Sequence, residues 1–132
     1  MKNYYRVYIL SIVAYLYLLY GVPSPLVAHE WMAPRDAGAI QNPITDDANS
    51  IAKGKVLYET NCAFCHGDSA TGLNAEEVGL EKSPPNLIKR LKNHTDGDFF
   101  WKIQHGRGNM PAFKDSLQDE DIWNIINYIK SN

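Results

Sequence analysis

Five consecutive residues, Cys62-Ala63-Phe64-Cys65-His66, constrain this chain more than any other stretch. Two thiols three positions apart on one helical turn face the same way, and an imidazole follows at once. The spacing suits a c-type haem attachment site, in which each thiol adds to one vinyl group of a single haem and His66 offers its imidazole to the iron. Such a string can arise by chance. It gains weight here because Cys62 and Cys65 are the only two cysteines in the chain.

Other uses of the motif fit less well. A zinc site needs four ligands, commonly a second Cys pair or a closely spaced His pair. There is no second Cys pair, and His94 and His105 are too far apart in sequence for a zinc finger. A dithiol redox motif calls for a surrounding βαβ pattern, and none is visible. A plain disulfide between Cys62 and Cys65 leaves His66 without a purpose.

With 132 residues the chain has room for one domain, and its formal charge of -2 is nearly neutral. A nucleic-acid binder would carry a strong basic excess. The first 28 residues differ in character from the rest. Lys2 and Arg6 precede an apolar run at 7–19; Gly21, Pro23 and Pro25 break it, and Ala28 supplies a small residue. That order is a secretory signal, with cleavage expected after Ala28. The run falls short of the roughly 20 residues of a spanning helix, and an uncleaved membrane anchor stays open as an alternative. Cleavage would remove Lys2 and Arg6 from the 13 basic residues and none of the 15 acidic ones.

Residues 29–47 contain Pro34 and Pro43 and show no clear period, so an extended arm is expected, laid over the domain or loose. His29 and Met32 lie in it as metal-ligating residue types with no supporting pattern. The domain proper is placed at 48–132. Asn49 or Ser50 is expected to cap a helix to about Thr60, with Ile51, Gly54, Leu57 and Tyr58 on one face. Gly54 weakens a helix relative to Ala, which points to a close helix–helix approach. Residues 68–86 read as loop, followed by a short helical turn at 86–91 with a basic cluster of Lys89, Arg90 and Lys92. Thr95 and Asp98 form a capping box for a helix that Gly106 stops. His94 and His105 read as ordinary end residues, though either could bind iron. In the loop 106–113, Gly106 and Gly108 allow close backbone approach to a flat cofactor, and Pro111 fixes the chain after Met110. Core filler is the bland use of such a methionine; after a haem motif, Met110 is the better second axial ligand. A last helix at 119–130 carries Asp119, Glu120 and Asp121 in its first turn. Leu117 and Ile122 form a hydrophobic staple, and Ile122, Ile125, Ile126 and Ile129 an apolar stripe.

On these residues the chain resembles class I c-type cytochromes, small single-haem electron carriers of bacteria. The likeness rests on Cys62-Ala63-Phe64-Cys65-His66, Pro85-Asn86-Leu87, the loop 106–113, Asp121-Ile122-Trp123 and Asn127-Tyr128-Ile129, and it covers about 51–130. It implies thioethers at Cys62 and Cys65, His66 as the proximal and Met110 as the distal iron ligand. It also implies that the Pro85 carbonyl accepts a hydrogen bond from the other nitrogen of His66. Gly54 and Tyr58 would cross Ile125 and Tyr128. Gln118 departs from the Ser or Thr that many relatives use to cap the last helix.

The expected molecule is therefore all-α, a cytochrome c fold of three main helices and loops around one covalently attached haem c. Its expected task is one-electron transfer between redox partner proteins in the periplasm, with no enzymatic turnover and no nucleic acid involved. The alternatives are a haem c subunit or electron-entry module of a larger respiratory oxidoreductase, and a haem catalyst or gas sensor with an open iron site.

Overall fold

The computed structural model describes residues 8–12, 15, 16 and 31–132. Residues 1–30 and 31–132 are separate units. In the first, residues 8–12, 15 and 16 are helical and exposed, Tyr8, Ile9 and Leu10 among them. Lys2, Arg6, the breakers Gly21, Pro23 and Pro25, the expected cut after Ala28, and His29 lie outside the described residues. Among the described residues no helix is long and apolar enough to cross a membrane.

The second unit is all-α. Its helices are α1 (Arg35–Gly38), α2 (Ala48–Asn61), α3 (Ala63–His66), α4 (Leu87–Leu91), α5 (Asp96–His105) and α6 (Asp119–Ser131). Among the described residues there is no strand, only an isolated antiparallel bridge between Arg107 and Met110.

The core is built where α2 crosses α6. Tyr58, Ile122, Ile125 and Ile126 are fully buried there. Gly54 makes the crossing possible: a Cβ at this position would run into the Asn124 backbone carbonyl and the Tyr128 Cβ. The Tyr58 and Tyr128 rings meet with centroids 5.1 Å apart. On another side of α6, Trp123 stacks on Phe100 of α5 at 4.0 Å, a close, near-parallel aromatic pair of the kind that adds to plain area burial.

Two expectations shift. The cap of α2 is Asp47, whose carboxylate accepts from the backbone N–H of Asn49 and Ser50 at 3.0 and 2.9 Å. Ser50 instead lies buried inside the helix, and its hydroxyl donates to Asn124 Oδ1 at 2.6 Å. The segment before α2 carries the short helix α1 and is packed down. The Asn42 amide donates to Asn127 Oδ1 at 2.8 Å, and the Thr95 hydroxyl donates to the Gly38 carbonyl at 2.8 Å. Asn127 in turn donates to the carbonyls of Ile44 and Thr45 and to Ser50 Oγ. As a result every residue from Ile122 to Ile129 is buried, the asparagines included. A helix covered all round needs every polar group partnered, and this network supplies the partners.

Elsewhere local signals and structure coincide. Thr95 and Asp98 form the capping box of α5, Gly106 follows His105, and Leu117 and Ile122 are both buried. At Gln118 the Asp121 carboxylate accepts from the backbone N–H at 3.0 Å, which closes the start of α6 without Ser or Thr.

Candidate haem-binding site

The site starts where α2 ends. Cys62 leaves helical geometry at the junction, and the next turn, α3, carries Ala63 to His66. The Cys62 N–H donates to the Tyr58 carbonyl at 2.8 Å and the His66 N–H to the Cys62 carbonyl at 2.9 Å, so the motif hangs rigidly from α2. Both cysteines are free thiols, half-buried, with no disulfide between them. Burial, reinforced by the Cys65 thiol, pushes the Cys62 thiol up to about 12. Phe64 between them is exposed.

His66 is buried, and its Nδ1 lies 3.3 Å from the Pro85 carbonyl. A carbonyl only accepts, so Nδ1 carries the proton and the Nε2 lone pair stays available. Burial holds the imidazole below the usual histidine range, and the Pro85 hydrogen bond works weakly against this. A neutral ring with a free Nε2 is the form that ligates metal.

Met110 is half-buried and packs against the core. Its loop is a tight turn: the Met110 N–H donates to the Arg107 carbonyl at 3.1 Å, and the Arg107 N–H donates to the Met110 carbonyl at 2.9 Å. The Phe113 N–H then donates to the Ile103 carbonyl at 3.1 Å, fastening the loop back onto α5. Gly106, with φ of 61°, is required by the loop itself, since a Cβ there would meet Met110, Pro111 and Ala112 backbone atoms.

These residues fit a covalently held haem. Two free thiols share one turn with an imidazole whose Nδ1 is already engaged. The half-buried Cys62, Ala63, Leu87, Leu91, Met110 and Phe113 all pack on the core while keeping apolar surface, the surface a flat hydrophobic group covers. A zinc nest is a poorer fit: among the described residues no three His, Cys, Asp or Glu side chains group as a metal-ion site.

His94 and His105 have partners of their own. His105 stacks on Trp101 and its Nδ1 lies 2.8 Å from the Trp101 carbonyl. His94 is not the ordinary end residue expected. Its side chain is only 4% exposed, with Nδ1 3.4 Å from Asp98 Oδ2 and 3.3 Å from Lys102 Nζ. Nothing in the haem motif points to two further groups, the phenol hydroxyls of Tyr58 and Tyr128. They donate to the carbonyls of Gly67 and Asp68, directly after His66, at 2.8 and 3.1 Å. Only the spacing of Tyr58 on the apolar face of α2 hints at its burial.

An all-helical domain with this motif on the turn directly after its first long helix is a cytochrome c-type domain, and its cofactor is haem c. The family described as cytochrome c oxidase, cbb3-type, subunit III matches residues 49–129, and the chain belongs to it. The cbb3-type cytochrome c oxidase subunit CcoP of Azospirillum sp. (strain B510) is 38% identical over 87 residues, 63% of this chain and 29% of that protein. Cytochrome c6 of Gracilaria tenuistipitata var. liui is 27% identical over 86 residues, 62% of this chain and 72% of that one. Among solved structures, cytochrome CL of the methylotroph Methylophaga aminisulfidivorans aligns with a TM-score of 0.52 and 28% identity, covering 64% of this chain and 56% of that one. The alignments span under a third of the CcoP relatives' length, 29% and 30%.

Proposed function

We propose that the chain is a one-electron carrier in which Cys62 and Cys65 hold haem c by thioethers and His66 and Met110 ligate the iron from its two sides. The observation that carries this is the setting of His66: buried, its Nδ1 donating to the Pro85 carbonyl so that Nε2 keeps its lone pair, on the turn that follows Cys62 and contains Cys65. When bound, haem c supplies an iron that takes one electron from a reduced donor and passes it to an oxidised acceptor. The chain's own part is to hold both ligands still. His66 is fixed by Pro85 and by the turn hanging from α2, and Met110 by the bridge to Arg107 and the Phe113–Ile103 bond. With both His66 and Met110 holding the iron, no position would be left for a substrate, and no catalytic turnover is assigned. A neutral thioether favours ferrous iron, so His/Met ligation raises the potential.

Donor and acceptor are redox proteins. The order of Lys2, Arg6, the apolar run and Ala28 supports export to the periplasm, with a mature chain starting at His29. Intact mass of the native protein checks that, and a mass still including residues 1–28 means an anchored cytochrome. A second reading, a haem subunit or electron-entry module of a respiratory oxidoreductase, is favoured by the family match and the CcoP relatives. Co-purification with large partner chains would select it.

The carrier reading is tested at Met110. Met110→Ala should lower the reduction potential by on the order of 100 mV, a fraction of the ~0.8 V that axial ligands span. It should also admit carbon monoxide to the reduced protein. His94→Ala and His105→Ala should do neither. If the unmodified protein binds carbon monoxide as readily as the Met110 variant, an open-site sensor or catalyst replaces the carrier.

A further inference from the structure

The two tyrosines at the α2–α6 crossing do more than fill the core. Tyr58 is fully buried and Tyr128 nearly so, and each hydroxyl is spent on a carbonyl of the turn that follows His66. That turn continues into Ala70, a fully buried residue with φ of 57°. A non-glycine residue in the left-handed region is strained, and it persists only where its surroundings over-determine it. The Ala70 N–H donates to the Gly67 carbonyl at 3.1 Å, and the Ala70 carbonyl accepts the Leu87 N–H at 2.9 Å.

Leu87 stands two residues after Pro85. Pro84 and Pro85 have no N–H of their own, so the segment bearing the imidazole's acceptor cannot fasten itself by its prolines. It is fastened by Leu87 to Ala70. On its other side Gly72 lies so close to the Pro84 carbonyl that a Cβ would collide with it. A continuous path thus runs from both phenol hydroxyls through Gly67, Asp68 and Ala70 to Leu87 and Pro85, and ends on His66 Nδ1.

We propose that Tyr58 and Tyr128 are positioning residues for His66, acting through the 67–72 turn to hold the Pro85 carbonyl against Nδ1 and so to set the reduction potential. The inference rests on His66 being the proximal ligand as proposed above. A hydrogen bond from Nδ1 makes the imidazole a more basic ligand. A more basic ligand stabilises ferric over ferrous iron, and loosening the bond therefore favours reduction.

The test uses the haem-loaded protein and the variants Tyr58→Phe, Tyr128→Phe and the double, which keep the ring and remove only the oxygen. The double variant should shift the one-electron equilibrium toward the reduced state by about tenfold, ~59 mV, with each single variant moving it less in the same direction. Amide exchange at Leu87 should quicken in the same variants, because its acceptor turn is released. Ile125→Val serves as a packing control: it thins the same crossing but leaves both tyrosine hydroxyls and their bonds to the turn in place, and should leave the potential where it was. The proposal is overturned if the double variant keeps the potential of the unmodified protein, or if Ile125→Val moves it as far. Should the double variant fail to load haem, the single variants and Leu87 exchange decide, and unchanged potential with unchanged exchange in both overturns it. Covalent haem retention in the unmodified protein is measured first. Its absence defeats the functional proposal, whereas its presence with an unmoved potential defeats only the role of the tyrosines.

Discussion

Ser50, Asn124, Asn127 and Asn42 form a chain of short hydrogen bonds through the middle of the molecule: Ser50 to Asn124 at 2.6 Å, Asn127 to Ser50 at 2.9 Å and Asn42 to Asn127 at 2.8 Å. Nothing local announces this. Polar residues on a helix read as solvent-facing, and the partners lie 74 to 85 positions apart in sequence. The Cys62-x-x-Cys65-His66 motif, by contrast, is legible because its chemistry is complete within one turn. The same difference separates Asp47 from Ser50. Asp47 caps an exposed helix start, so Asp47→Ala should cost about 1 kcal/mol. Ser50→Ala strands Asn124 Oδ1 inside the core and takes one acceptor from Asn127, and the desolvation of a stranded group reaches ~1–3 kcal/mol. Urea denaturation should rank Ser50→Ala as the more damaging change. The reverse order would place the network at a wetter, more forgiving site.

At the scale of elements, the α2–α6 crossing is readable from Gly54, because a glycine on an otherwise apolar helix face marks a place where a second backbone comes close. The structure sharpens the expectation: the obstacle to a side chain is the backbone carbonyl of Asn124, which cannot swing away as a side chain would. Even Gly54→Ala should therefore overpack the crossing and destabilise by ~1–3 kcal/mol, although Ala is the better helix former by about 1 kcal/mol. The denaturation midpoint should fall with the slope unchanged. A midpoint that rises would mean that propensity outweighs packing and that the helices are farther apart. The loop 106–113 is legible as a methionine-bearing turn, but the purpose of its first glycine is not. Gly106 serves the turn's own closure, and spacing alone cannot distinguish a loop folding on itself from one folding on a cofactor.

Over the whole second unit, residues 31–47 close the structure. Prolines and the missing period leave this segment without a determinate place in sequence, because its attachments are side chain to backbone and long-range. Asn42 and Asn127 tie it to α6, and Thr95 and Gly97 seat it on the start of α5, where a Cβ at Gly97 would strike the carbonyls of Ala37 and Ile40. Asn42→Ala should cost about 1 kcal/mol for the lost bond to Asn127, with faster exchange of amides in 31–47. Loss of stability without faster exchange would show that the segment is held by other contacts.

The central claim is that the thiols of Cys62 and Cys65, free in the protein chain and just ahead of a pre-oriented His66, carry haem c covalently. Its most direct test is acid–acetone extraction of the denatured, haem-loaded protein, followed by intact mass of the polypeptide. The haem should stay with the chain and add one haem to its mass. Haem that passes into the organic phase, leaving the mass of the bare polypeptide, contradicts the claim.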